Sequence, residues 1–330
     1  MFNTLFQNSR ESLPRLPPRR HENANTRAAA ARAAMALSKL SGDEQCIIFS
    51  QLCNVLDTRV AVAFSSTSSE LRELTQALLQ QLRTDHEVAA ALGRKAGMRS
   101  CKELREARYV SWYNKVLSSA DLATLGTLGS VLPALETLYL FEKSAGPDGM
   151  QRLMGGLGAG TLLAVRTFWI NGLHMGLAGA SAFAAALGRG ALPRLKTLNL
   201  DHAAIGDAAL AALAPALRRL PALENLGLNH SPFGDEGLAA LVAPPPPAAA
   251  LSPPAAVPPP IGVLTKLKQV SLDGTQITDA SCTALAAAHG SGALPALKMV
   301  SMFGSSVSAA AKAELRRGFR GSGGKRVGVI

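Results

Sequence analysis

LPRLKTLNLDHAAIGDAALAALAPALRRL, residues 192–220, carries two periodicities side by side. Leu192, Leu195, Leu198 and Leu200 close on the alternation of a short strand, and Leu210, Leu213, Ala214 and Leu217 then follow at helical spacing. One strand and one helix cannot enclose a core, so the unit has to be repeated. The next copy begins at once with LPALENLGLNHSPFGDEGLAAL from Leu220. The same template starts at Leu132, Leu162, Leu192, Leu220, Leu264 and Leu294, at spacings of 30, 30, 28, 44 and 30 residues. Five units share a period and the fourth carries an insertion. An earlier, degenerate copy starts at Leu104, with Val110, Trp112 and Leu117 in the strand and turn places and Leu122 and Leu125 in the helix places.

These units resemble leucine-rich repeats of the long, helix-bearing kind found in ribonuclease inhibitors, immune-receptor tails and many F-box proteins. The resemblance rests on Leu192, Leu195, Leu198, Leu200 and Ile205, on Leu220, Leu223, Leu226, Leu228 and Phe233, and on Leu264, Leu267, Val270, Leu272 and Ile277. It implies a right-handed α/β solenoid, with parallel strands inside and helices outside, preceded by a small α-helical module. The family usually carries Asn or Cys three places beyond the last strand leucine, where it bonds neighbouring backbone. Lys143, Leu173, Ala203, Ser231, Thr275 and Ser305 stand there instead, and only the hydroxyls can take over that bond. The regularity of the first three turns is therefore open.

A chain of 330 residues with 48% hydrophobic content can bury a large core, and a solenoid does so repeat by repeat. Its longest apolar runs are Ala-rich and broken by Arg or Gly, so no membrane span and no membrane partner are expected. Cys46, Cys53, Cys101 and Cys282 lack metal-ligand spacing, which suits a reducing, cytoplasmic setting. The net charge of +11 divides as +4 over 1–103, +2 over 104–311 and +5 over 312–330. The repeat body is nearly neutral, and no nucleic-acid partner is expected.

Residues 1–36, rich in Arg, Pro and Asn, read as a basic disordered tail, with a transit peptide as the alternative. From Leu37 to Thr75 the apolar spacing predicts a compact helical module. This segment resembles an F-box. The matching residues are Leu40, Asp43 and Glu44, Ile47 to Phe49, Leu52, Asp57, Val60 to Phe64, Ser65, and Leu71 with Arg72. Ser41 and Glu70 depart from the pattern, at places usually held by proline and tryptophan. The resemblance implies that Leu40, Ile48, Phe49, Leu52 and Val62 face a Skp-type adaptor of a cullin ubiquitin ligase. Residues 76–103 read as a helical connector ending in a basic loop, 104–323 as about seven repeats, and 324–330 as a tail. The Pro-rich insertion 243–260 breaks the fourth unit as a polyproline-II-like loop.

Asp207, Asp235 and Asp279 recur at one place and are expected to cap the starts of their own helices, at about 1 kcal/mol each. His202 and His230, equivalent in adjoining units, should lie one strand spacing apart, roughly 5 Å. They lack a third ligand, so no metal is expected. No Ser/His/Asp or Cys/His set, P-loop or dinucleotide motif converges, and neither an enzyme nor a cofactor is expected.

The inner face of the arc is where the chain becomes specific. Counting five, seven and nine places from each starting leucine gives Tyr109, Ser111 and Tyr113, then Thr137, Tyr139 and Phe141, then Thr167, Trp169 and Asn171. All three tyrosines of the chain gather there. Tyr and Trp anchor protein interfaces, so Tyr109, Tyr113, Tyr139, Phe141 and Trp169 form the candidate partner site, with Asn171, Asn199 and Asp201 as its polar part. The expected function is recognition of a protein client by a monomer, as an F-box adaptor or as a stand-alone scaffold or inhibitor.

Overall fold

The structure is a computed structural model and describes residues 36–37, 39–141, 146–243, 264–321 and 328–330. Most of the Pro-rich insertion and the tail before residue 36 lie outside the described residues.

Ahead of the repeats stand the helices α1 (Gly42–Leu52), α2 (Arg59–Ser65), α3 (Ser69–Lys95) and α4 (Cys101–Glu106). Ser41 starts α1 through a reciprocal cap, its hydroxyl accepting from the Glu44 amide at 3.3 Å while Glu44 Oε2 accepts the Ser41 amide at 2.8 Å. Phe49, Ala61, Phe64, Leu71 and Leu82 form the small core these helices share. The boundary expected near residue 75 is absent. Leu71, Leu82, Ala89 and Leu92 keep helical spacing with neither Gly nor Pro between them, so α3 runs unbroken through it. Its second half joins the solenoid, where Trp112 Nε1 donates to the Leu92 carbonyl at 3.2 Å. A salt bridge of 2.6 Å from Lys95 to Asp121 ties α3 to the first repeat helix.

The repeats alternate β1 (Tyr109–Trp112), α5 (Ser119–Leu128), β2 (Thr137–Phe141), α6 (Gly146–Gly155), β3 (Thr167–Asn171), α7 (Gly176–Gly188) and β4 (Thr197–Asn199). They continue as α8 (Asp207–Arg218), β5 (Asn225–Gly227), α9 (Asp235–Val242), β6 (Gln269–Ser271), α10 (Asp279–Gly290), β7 (Met299–Ser301), α11 (Ala309–Gly321) and β8 (Gly328–Val329). The strands form one parallel sheet in chain order. The register Tyr109, Thr137, Thr167, Thr197, Asn225, Gln269, Met299 reproduces the repeat template place for place. Each helix packs on the next, and one continuous core of leucines runs between helices and sheet. No described helix is long and apolar enough to cross a membrane.

Residues assigned to a C-terminal tail instead supply an eighth strand. Gly328 and Val329 pair with β7, and Arg316 Nε donates to the Val329 carbonyl at 3.0 Å.

Among the described residues the turns after the strands are regular in spite of the missing Asn or Cys. Asn114, Gly172, His202, His230, Gly274 and Gly304 occupy the same place with positive φ, reversing the chain identically each time. Leu173 and Ala203 are fully buried beyond them, and the Ala203 carbonyl accepts the Met175 amide at 2.9 Å. Thr275 and Ser305 hydroxyls do bond backbone, each at 2.7 Å, whereas the Ser231 hydroxyl is buried without a partner. Lys143 lies outside the described residues.

Candidate partner-binding face

Along β1–β3 the residues Val110, Trp112, Leu138, Leu140, Phe168 and Ile170 point to the helices and are fully buried. Alternation therefore puts Tyr109, Tyr139, Phe141 and Trp169 on the helix-free face, with Tyr113 just beyond β1. Their rings touch in two rows. Tyr109 and Tyr139 centroids lie 5.5 Å apart, Tyr139 and Trp169 4.8 Å, and Tyr113 and Phe141 4.9 Å. Tyr109 and Tyr113 are each 58% exposed, so the helical module does not cover the patch. At its far side Trp169 Nε1 and Asn171 Oδ1 are withdrawn from solvent without hydrogen-bond partners, leaving one donor and one acceptor unused.

Asn199 and Asp201 come together next to this patch, but mainly with each other. The Asp201 carboxylate accepts from Asn199 Nδ2 at 2.8 Å, from the Asn229 amide at 2.9 Å and from Asn229 Nδ2 at 3.2 Å. Asn229 Oδ1 accepts the Asp273 amide at 2.8 Å, and Asp273 Oδ1 accepts the Phe303 amide at 2.7 Å. These side chains form a ladder from the fourth repeat strand to the seventh, so Asp201 serves the frame as well as the polar part of the candidate site. Asn or Asp at place nine in four consecutive units, Asn171, Asp201, Asn229 and Asp273, is the available signal.

The recurrent aspartates also act across repeats, in place of the expected self-capping. Gly206 and Gly234 are the N-caps of α8 and α9, and Asp207 and Asp235 are the first residues inside. Asp207 Oδ1 accepts the amides of Gly234 and Gly237, at 2.8 and 2.7 Å, at the start of α9. Asp235 likewise serves the start of α10, accepting from the Thr278 amide and hydroxyl at 2.9 and 2.6 Å and from the Ser281 amide and hydroxyl. Asp279 accepts the Ser308 amide and hydroxyl at 2.7 and 2.8 Å before α11. Burial alone would raise the Asp235 carboxyl, but the Ser281 and Thr278 donors outweigh it and hold it below its ordinary range.

His202 and His230 stack with centroids 4.3 Å apart and planes 13° from parallel. Among the described residues no group of three or more His, Cys, Asp or Glu could hold a metal.

The expected adaptor contacts on α1 and α2 need correction at Phe49. It is fully buried, its ring 6.0 Å from that of Phe64, because Gln45 and Phe49 occupy the inward stripe of α1. Ile48 and Leu52 pack against the same core and, like Leu40 and Val62, are partly buried. The outward apolar residues are Ile47, 62% exposed, and Val60, 52% exposed. Nearby, the Arg59 guanidinium, with Arg105 assisting, holds the Asp57 carboxyl far below the usual carboxylate range.

Residues 192–214 match the family described as Leucine Rich repeat. No curated protein matches the chain. Among solved structures it is similar to internalin C2 from Listeria monocytogenes, at 19% identity over 69% of this chain and 88% of that one, with a TM-score of 0.38. It is also similar to a protein from Bacteroides fragilis, at 14% identity over 80% and 84% of the two chains, with a TM-score of 0.41. The actin-binding site 2 of leiomodin-1 is a third, at 12% identity over 47% and 79%, with a TM-score of 0.33. From the family match at 192–214 and the parallel register that repeats it on both sides, the fold is an α/β leucine-rich-repeat solenoid.

Proposed function

We propose that this chain recognises a protein client, without catalysis, through the inner face of β1–β3. The observation that carries the reading is the aromatic cluster on the helix-free face of the sheet, in which Tyr109 and Tyr113 are exposed and Tyr139, Phe141 and Trp169 are half-buried. Such rings give large contact area at low entropic cost and commonly contribute about 2 kcal/mol or more each at an interface. Asn199 and Asp201 support the patch by bracing the next strand. Four free cysteines suit a monomer in a reducing, cytoplasmic setting. Proximity labelling with the full chain, followed by affinity measurement on the recovered client, tests this. Tyr139→Ala with Trp169→Ala should cost at least about a hundredfold in affinity. Unchanged capture of the client would reject the reading.

A narrower reading attaches to the helical module as an F-box-like adaptor docking unit in ubiquitin ligation. With Phe49 committed to the core, the outward Ile47 and Val60 would join Leu40, Ile48, Leu52 and Val62 in that contact. The full chain should then co-purify with a Skp-type adaptor, and Ile47→Asp with Val60→Asp should abolish this. Failure to capture the adaptor removes the ubiquitin role and leaves client recognition in place, as in a stand-alone scaffold or inhibitor.

A further inference from the structure

The residue immediately before each of β1–β7 is charged, forming a row along the edge where the strands begin. Five of the seven are ion-paired within the row. Arg108 lies 3.9 Å from Glu136, and Glu224 is shared by Lys196 at 3.5 Å and Lys268 at 2.6 Å. Arg166 and Lys298 are the exceptions: both are exposed and neither makes an ion pair among the described residues.

Each of these two cations opens a strand with apolar side chains on the inner face, half-buried on β3 and exposed on β7. Arg166 leads into β3, where Trp169 stacks on Tyr139. Lys298 adjoins Met299, which is 37% exposed, and the same stretch ends at Phe303, 73% exposed. The strands between carry no such pairing. Their inner residues are polar apart from Gly227, their two edge lysines share Glu224, and Asp201 and Asp273 place negative charge on that part of the face. β3 and β7 are separated by four strand spacings, about 19 Å at the usual inter-strand distance.

We infer that the inner face grips its protein partner at two points about 19 Å apart, each taking an acidic side chain beside an apolar one, at Arg166 with Trp169 and at Lys298 with Met299. The inference rests on the client-recognition reading and specifies the partner's chemistry. A protein fits better than a nucleic acid. A phosphate backbone calls for an unbroken basic track, whereas this row is interrupted by Glu136 and Glu224 and faces Asp201 and Asp273. The two central aspartates would repel an acidic partner, which confines its carboxylates to the two ends.

The test is to pan the full chain against a phage-displayed library of random peptides about 20 residues long, enough to span the two points when extended. Selected peptides are then titrated by fluorescence polarisation, with a single-stranded oligonucleotide alongside. The expected selection pairs Asp or Glu with aromatic or aliphatic residues. Arg166→Gln and Lys298→Gln should each weaken binding about fivefold, and the two together more, with the effect shrinking at high salt. Basic or uncharged selected peptides, no enrichment at all, indifference to both charge variants, or tighter binding of the oligonucleotide would each overturn the inference. If Tyr139→Ala with Trp169→Ala abolishes peptide binding while the charge variants do not, recognition by the aromatic face stands and the two-point acidic partner falls. If only the charge variants matter, the aromatic reading falls instead.

Discussion

Asp207 lies in α8 but hydrogen-bonds the start of α9, with Oδ1 2.8 Å from the Gly234 amide and 2.7 Å from that of Gly237. A carboxylate at the positive end of a helix satisfies amides that have no partner within it. Replacing Asp207 by Ala leaves two partly buried amides without an acceptor, so the loss should be about 1–3 kcal/mol, at the upper end of capping effects. Urea unfolding followed by circular dichroism should show the lowered midpoint, with Asp207→Asn intermediate. A midpoint equal to the parent's would mean water replaces the carboxylate at no cost.

Acid should unfold the chain through carboxylates of one kind. Asp235 is held low by the Ser281 and Thr278 donors against the opposing effect of burial, and Glu224 by Lys268. At Asp121 burial again opposes, and Lys95 and Ser118 prevail. A carboxyl depressed in the folded state stabilises fully above its unfolded value of about 4, and that contribution disappears as pH falls through the folded value. Stability should therefore be flat from about pH 7 to 5 and fall below about 4. Asp235→Asn should be less stable at neutral pH and show a shallower acid limb in urea midpoints taken across pH.

Neighbours around β1 should respond oppositely to truncation. Trp112 is fully buried and bonded to the Leu92 carbonyl, whereas Tyr113 is 58% exposed. Trp112→Ala should cost about 3–5 kcal/mol and Tyr113→Ala less than about 0.5. Comparable losses in thermal unfolding would show that the tyrosine supports the fold and is not a free contact.

Two glycines set how closely α5 and the end of α6 approach. A Cβ on Gly126 would stand 2.5 Å from the Leu153 carbonyl oxygen, and one on Gly156 2.5 Å from the backbone carbon of Gly126. Both obstacles are backbone, so neither can rotate aside. Gly126→Ala and Gly156→Ala should each destabilise by about 1–3 kcal/mol or more, although alanine favours helices elsewhere. A raised melting temperature in either variant would contradict this packing.

Much of the architecture was legible because strand and helix periods repeat with little variation. The places of Val110, Leu138, Phe168 and Leu198 follow directly from the starting leucines, and so does the clustering of Tyr109, Tyr139 and Trp169. What stayed hidden depends on offsets between units, which periodicity does not encode. Asp207 looks like a cap for α8, and only the lateral shift between α8 and α9 turns its carboxylate to Gly237. Asp201 looks like an exposed contact until the next strand brings the Asn229 amide within 2.9 Å. The family pattern places Phe49 on an outside surface, whereas the i, i+4 stripe it shares with Gln45 turns it inward. Gly328 and Val329 are too short a strand to leave an alternation at all.

The aspartate links run one way. α8 supplies α9, α9 supplies α10 and α10 supplies the turn into α11, yet among the described residues none of the three receives a carboxylate in return from the helix it serves. Melting of α8 would strip α9 of a cap, whereas at the same link melting of α9 would only release the side chain of Asp207 to water. Damage in the middle of the arc should consequently travel toward β8 more readily than toward β1, leaving the aromatic end of the face the last part to lose its shape.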